Sequence, residues 1–395
     1  MRVLISGGGI AGLTLAYWLH QYGWVPVIID QAEEIRRDGY AIDFFGTGYD
    51  VAERMDLITR LQPQQIPFDY VAFVNGAGEP VAKLDIALMR KVMDGKYMAL
   101  MHWTLEDVLH EAVGDDVEMR FGCSLAAIQQ GPQAVTASFT DGTTDTFDLL
   151  IGADGIHSNT RKLVFGPEEQ FGRYLGYSFA SYRLPDRYGI SHAWKNYTEP
   201  GRQAGAYCSN NEGEIITLFL YTTADEGHIS HEQRLPRLRR AFAGMGWITS
   251  QLLEDTPDPE AIFMDTVTQI QMPTWHQGRV ALVGDACGCP TLLSGQGASL
   301  AMGGAYVLAR ALHEGVDYQE AFRRYERFVR PYVKERQKNA HDFAKTFVPA
   351  SRLGLAVQQV LLKLLLRDAF TGLLRRQFGA ESLLQTRELR LWSQR

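Results

Sequence analysis

Val3-Leu4-Ile5-Ser6-Gly7-Gly8-Gly9-Ile10-Ala11-Gly12-Leu13 decides how this chain begins to fold. Val3-Leu4-Ile5 is a short apolar strand, Gly7 to Gly12 a tight loop, and Leu13 to His20 a helix that Gly23 ends before a second strand, Val25-Pro26-Val27-Ile28-Ile29. The loop fits the G-x-G-x-x-G spacing, and each glycine has a task. Gly7 permits the turn, Gly9 lets a pyrophosphate approach the backbone, and Gly12 lets helix and strand pack closely. The first helical residues, Ile10 and Ala11, turn their N–H groups toward the anion. Asp30 closes the second strand, where an acid accepts hydrogen bonds from the adenosine ribose hydroxyls. A glycine-rich turn without ligand is the plainer alternative. Loop, acid and flanking elements agree, however, so the stretch predicts a dinucleotide-binding βαβ opening.

Working outward, 395 residues exceed what one ordinary hydrophobic core serves, which predicts two interlocked domains or one large enzyme domain. Hydrophobic residues at 46% against 22% charged describe a globular chain rather than a disordered one. A net charge of -7 leaves no basic field for a polyphosphate backbone, so nucleic acid is not an expected partner. The first residues already read as a strand, leaving no room for a charged and then apolar leader, so a cytoplasmic protein is expected. The four cysteines include one lone Cys287-x-Cys289 pair, which is neither a disulfide framework nor a zinc site, and no metal is expected.

Further along, a helix is read over Leu105 to Val113, and strands near Val117 to Phe121, Ala134 to Thr140 and Phe147 to Ile151. From about Phe171 to Gln271 the texture becomes alternating and aromatic-rich, as in Glu214-Ile215-Ile216-Thr217-Leu218-Phe219-Leu220-Tyr221, the mark of an antiparallel sheet with one covered face. Strand-loop-helix texture returns at Val280, and long helices start near Ser299, Tyr318 and Leu353. One domain interrupts another.

Two more segments carry chemistry. One runs Asp148-Leu149-Leu150-Ile151-Gly152-Ala153-Asp154-Gly155-Ile156-His157-Ser158-Asn159-Thr160-Arg161; the other is Gly278-Arg279-Val280-Ala281-Leu282-Val283-Gly284-Asp285-Ala286, followed by Gly295-Gln296-Gly297-Ala298-Ser299 at a helix start. Each sets a carboxylate directly after a buried strand, where an unpaired charge is costly, so hydroxyls of a ligand or backbone donors are expected to meet it.

In this order and spacing, the three segments resemble the aromatic-hydroxylase family of FAD monooxygenases, over about residues 1 to 345. The resemblance implies an α/β fold: a Rossmann-like three-layer FAD-binding domain (1–70, 98–168 and 272–345), an inserted, mostly antiparallel substrate domain (71–97 and 169–271) and a helical C-terminal segment (346–395). It implies that Gly284 and Asp285 hold the flavin ribityl chain. Gly295 leads into Gly297, Ala298 and Ser299, whose backbone would face the pyrimidine end of the isoalloxazine. Asp154 and Gly155 match an Asp-Gly motif thought to serve FAD and passing NADPH, Arg37 stands where the family keeps an arginine for the cofactor phosphates, and Leu125 where a backbone group meets adenine. His102, ahead of Leu105 and Leu109, replaces the family's usual arginine. Gly288 and Leu292 replace its usual histidine and its flavin-side proline.

The activity so implied is NADPH- or NADH-driven reduction of FAD, formation of the flavin 4a-hydroperoxide with O2, and oxygen transfer to an aromatic or polycyclic, polyketide-like substrate. No catalytic residue is singled out. His192, His228 and His231 titrate near neutrality, but the reading of surface or packing residues is stronger; Asp43 is a weak candidate to face the ring. A reductase of the geranylgeranyl-reductase type and a non-catalytic flavin-binding protein stay open as alternatives. The leucines of Leu353 to Phe378, interspersed with Lys363, Arg367, Arg375 and Arg376, suit a membrane-surface helix, yet a helix packed across the two domains is the favoured reading. The oligomeric state is not legible.

Overall fold

The computed structural model describes residues 1–35, 39–190, 192–224, 227, 229–291, 295–315, 317–365 and 382–385. The opening strand, Arg2–Ser6, lies inside a six-stranded sheet ordered His276–Gln277, Val280–Leu282, Leu149–Gly152, Arg2–Ser6, Val25–Ile29, Glu118–Arg120. Leu4 stands between Leu150 and Val27 in parallel register. Parallel strands covered on both faces read as continuous apolar runs, and here each run feeds two cores. Val3 and Ile5 pack beneath the helices Ile10–Gln21, His102–Val113 and Gly297–His313. Leu4, Val27 and Leu150 face the other way, onto a three-stranded meander of Leu125–Gln130, Val135–Phe139 and Thr144–Phe147. Helices, parallel sheet and meander are the three expected layers.

The second body is an eight-stranded sheet along Phe263–Ile270, Gly172–Ser181, Glu214–Thr222, Arg202–Cys208, Ala193–Glu199, Tyr70–Val74 and Pro80–Asp85, with Arg183–Pro185 added beside Glu214–Thr222. All its pairs are antiparallel except Ala193–Glu199 with Tyr70–Val74. Strand alternation sorts the aromatics: Tyr182, Phe219 and Tyr221 pack with the helices His231–Ala241 and Thr249–Glu254, whereas Tyr177, Phe179 and Leu220 meet Tyr40 of the first body. A two-stranded pair, Ala41–Phe45 with Tyr97–Met101, bridges the bodies. The strand pattern read above has no counterpart for it, because its partners lie far apart in sequence and no turn announces them.

Helix Gly297–His313 is buried along almost its whole length. At Gly303 a Cβ would run into the Thr47 methyl, so only glycine admits the neighbouring helix, Thr47–Arg54. The chain then forms Tyr318–Phe347 and Arg352–Leu365. The latter packs on Pro80–Asp85 and Ala193–Glu199, but with Gln358 inward, while Leu353, Val357, Val360 and Leu361 stay exposed. The leucine stripe therefore does not face the core over this stretch. Leu383–Gln385 returns to the core, Leu383 N donating to Thr47 Oγ1 at 2.8 Å. No helix of the described residues is long and apolar enough to cross a membrane.

Candidate functional site

The glycine loop is shaped by what it touches. Gly7 has φ +113, and a Cβ there would strike the Ala153 carbonyl; a Cβ on Gly12 would strike the Gly7 carbonyl. Gly9 differs, for its Cβ would meet only the Glu106 carboxylate, at 3.3 Å. No backbone crowds Gly9, and the one side chain over it is the flexible end of Glu106. Helix Ile10–Gln21 has no side-chain cap at its start, so its first N–H groups, those of Ile10 and Ala11 foremost, are orphans that attract an anion. Asp30 braces the loop: Oδ2 accepts from Gly8 N at 2.7 Å and Oδ1 from Ala32 N at 2.8 Å.

The third segment closes on the first at Gly284. With φ +68, this glycine lies so near the helix start that its Cβ would come within 2.9 Å of the Ala11 Cβ. Asp285 follows at the head of the short helix Asp285–Gly288. Burial raises the Asp285 carboxyl above its ordinary range, with the Cys289 thiol and His102 pulling the other way. His102 Nδ1 lies 3.3 Å from Glu106 Oε2, one turn along its helix. Desolvation alone would lower this imidazole, but Glu106, and Asp285 beyond it, raise it overall. The first and third segments therefore meet beside one carboxylate-flanked imidazole.

Tyr40 joins this group to the large sheet. Its ring centroid lies 6.1 Å from His102, 5.5 Å from Phe179 and 6.0 Å from Phe263. Burial and the Asp285 charge hold its phenol well above the usual range, so Tyr40 stays neutral. On the far side, Gly295 has φ +61 and its Cβ would come within 3.4 Å of Asp43 Oδ2. Asp43 accepts a 2.6 Å bond from Tyr97 and is raised by burial. Helix Gly297–His313 begins here without a side-chain cap; Ala298 and Ser299 are buried, Ser299 Oγ donates to Phe45 O at 2.8 Å, and a Cβ on Gly297 would meet nothing within 4 Å.

The second segment is built differently. The Asp154 carboxylate is engaged by its own loop, accepting from Ser158 Oγ and from Thr160 N and Oγ1, the latter two at 2.8 Å. Gly155, with φ +75, completes the turn. Arg161, fully buried, donates to Ile156 O, Ala286 O and Glu168 Oε2, which ties this loop to the residue after Asp285. His157 bridges Glu168 at 2.9 Å and Asp265 of the large sheet at 3.5 Å. Leu125 O accepts from Asn159 Nδ2 at 2.7 Å.

Sequence reasoning missed Glu106, Tyr97 and Arg161 as contributors. Only Glu106 had a signal, its i+4 spacing from His102. Of the candidate bases, His192 is exposed with Nδ1 3.0 Å from Pro67 O, and His231 is exposed at a helix start. Neither joins the group around Asp285. Arg37, His228 and Leu292 lie outside the described residues. At Gly288 a Cβ would come within 2.8 Å of Val333 and 3.2 Å of Trp275, so those side chains occupy the room a histidine would need. Among the described residues no three His, Cys, Asp or Glu side chains cluster as a metal site.

The sequence model of the FAD binding domain family matches residues 1–343. The chain belongs to that family. A flavin-dependent monooxygenase of Legionella longbeachae is 32% identical over 342 residues, covering 86% of this chain and 87% of that one. An uncharacterized Mycobacterium tuberculosis protein, Rv1260, is 34% identical over 351 residues, covering 85% and 91%. Tetracycline destructase Tet(55) superposes with a TM-score of 0.83 at 27% identity, covering 97% of this chain and 98% of that one. Klebsiella pneumoniae HpxO, solved with FAD and uric acid, shares the fold at a TM-score of 0.82 and 22% identity over 97% and 98%. This chain is thus an FAD-dependent monooxygenase by family. Its residues fit the cofactor: Gly297 leaves open the space a Cβ would fill and Gly9 meets only the end of one side chain, two uncapped helix starts offer N–H groups, and Asp285 follows Gly284, whose Cβ would touch both of those helices at Ala11 and Ala301.

Proposed function

We propose that this FAD-dependent monooxygenase uses NADPH or NADH and O2 to hydroxylate an aromatic or polycyclic small molecule. The supporting observation is the meeting of Tyr40 with Phe179 and Phe263 beside His102 and Asp285. Phe179 is buried among these rings while Tyr40 and Phe263 are only partly buried, leaving apolar ring surface that suits a flat substrate next to the groove that fits FAD.

FAD, when bound, supplies the redox chemistry, taking electrons from reduced nicotinamide and passing one oxygen atom of O2 to the substrate. Gly7, Gly9, Ile10, Ala11 and Gly12 would hold its pyrophosphate and Asp30 its ribose. Arg37, His102, Leu125, Asp154 and Gly155 would complete the adenosine and phosphate contacts, with Gly284 and Asp285 at the ribityl chain. The helix start at Gly297, Ala298 and Ser299, entered through Gly295, would stabilise negative charge at the ring. Burial raises the Asp43 carboxyl above its ordinary range, against the hydrogen bond from Tyr97. The large sheet would exclude water from the reacting face.

Turnover under oxygen-18 gas, followed by mass spectrometry of the product, tests the reading across a panel of polyphenols and polyketides. One labelled oxygen per product, with NADPH oxidation accelerated by substrate, is expected. A product without label, or one formed equally well without O2, moves the chain to a reductase function.

A further inference from the structure

A cavity lies on the side of the short helix Asp285–Gly288 that carries Cys287 and Gly288. It opens between the end of strand Phe263–Ile270 and helix Tyr318–Phe347, and measures about 260 Å3. A single ordered water needs only ~10–15 Å3 by the same kind of measure, so the space admits a small molecule. Its floor is apolar, with Trp275, Met272 and Val333 all buried.

The charges around it are one-sided. Arg173, Arg330, Lys334 and Lys338 line the cavity, and no aspartate or glutamate does. Arg330 is paired with Glu326 at 2.6 Å. Among the described side chains, Arg173, Lys334 and Lys338 make no ion pair, all three lying exposed. The chain as a whole carries a net charge of -7, so this convergence runs against its overall composition. Arg173, Lys334 and Lys338 are exposed at its mouth, where solvent screens their mutual repulsion, and a polyvalent anion seated on the apolar floor meets all three at once.

Two buried glutamines connect the cavity to the flavin side. Gln337 Nε2 donates to Ile270 O at 2.7 Å and to Cys289 O at 3.0 Å. Gln269 Nε2 donates to Pro290 O at 3.0 Å and to Gln337 O at 2.7 Å. The cavity wall therefore holds the backbone just beyond Asp285.

We propose that this cavity is a binding site for a phosphate-bearing anion, separate from the flavin groove, whose occupancy is sensed at Cys289 and Pro290 through Gln269 and Gln337. The shared chemistry is a multiply charged phosphate oxyanion, whether free or carried on a nucleotide. Lysine ammonium groups and the free Arg173 guanidinium supply the charge.

The test is calorimetric titration of the FAD-loaded protein with inorganic phosphate, pyrophosphate and NADP+ in turn, at constant ionic strength, for wild type and Lys334→Gln/Lys338→Gln. Saturable 1:1 binding of at least one probe, weakened ten-fold or more in the double variant, is expected. Response to the inorganic ions assigns the source as free phosphate; response to NADP+ alone assigns it to a nucleotide. No saturable heat from any probe, or equal affinity in the variant with its flavin spectrum intact, overturns the proposal. An Arg173→Gln variant, on a different element, guards against a lysine-specific folding effect and is expected to lose at least three-fold.

Discussion

Gly284 and Ala11 stand in direct opposition, with a Cβ on Gly284 falling 2.9 Å from the Ala11 Cβ. Through this contact the turn before Asp285 meets the start of the first helix, and two sequence segments almost the whole domain apart become one groove. Gly284→Ala must find room against Ala11 and also adopt φ +68 with a side chain. The expected cost is about 1–3 kcal/mol, read as a lower midpoint in urea unfolding and a weaker yellow colour after gel filtration. Unchanged values for both would mean that the turn relaxes without consequence.

Asp285→Ala is expected to lower FAD retention at least ten-fold, because the proposed hydrogen bonds from its carboxyl to cofactor hydroxyls would have no substitute nearby. Burial already holds this group toward its neutral form, so Asp285→Asn is expected to retain more FAD than the alanine variant. Fluorescence titration of apoprotein with FAD compares the three. Equal retention in wild type and Asp285→Ala removes Asp285 from the cofactor's contacts.

His102 is raised above its ordinary 6.5 by Glu106 and Asp285, against the desolvation that lowers it. A raised folded-state value makes its charge most stabilising below pH 6.5, and the contribution disappears as pH climbs through the raised value. FAD affinity is accordingly expected to fall over that window in wild type and to be flatter in His102→Ala. His102→Arg, which keeps the charge, is expected to retain FAD. Identical pH profiles for wild type and alanine variant would place His102 outside the cofactor shell.

His157 is lifted to about 10 by Asp265 first and Glu168 second. The contribution of its cation is complete below about pH 6.5 and is lost between there and about pH 10. Its ring is 61% exposed, so solvent screening keeps the effect small, on the order of 2 °C in Tm. His157→Gln is expected to flatten the dependence of Tm on pH across that range, as differential scanning fluorimetry would record. A wild-type curve already flat there is the contrary result.

Tyr97 is the hydroxyl that Asp43 accepts from, at 2.6 Å. Tyr97→Phe leaves a buried carboxyl without its donor, at about 1–3 kcal/mol, and Asp43→Asn in the same chain is expected to recover more than half. Since burial raises Asp43, its contribution to stability is lost as pH rises through the raised value, so the single variant is expected to be weakest at neutral and higher pH. Urea unfolding at pH 5 and pH 8 measures both the loss and the recovery.

Much was legible in the sequence, for local reasons. Val3 to Gly12 and Asp30 announce their elements through spacing and backbone freedom, which need no distant partner, and Glu214 to Tyr221 reads correctly as a sheet strand, although both its faces are covered where one was expected, because helices pack on one side and the first body on the other. What no local rule carries is juxtaposition. That Tyr97 pairs with Asp43, that Glu106 stands over Gly9, or that Arg161 reaches Ala286 O depends on which strands become neighbours. The fate of each carboxylate was equally hidden. Asp154 and Asp285 both follow buried strands, yet one is satisfied by its own loop while the other is enclosed beside His102. Sequence fixes what a segment can form by itself, because chain connectivity supplies the contacts; only packing decides which charge meets which partner, because burial and long-range pairing exist only in the folded chain.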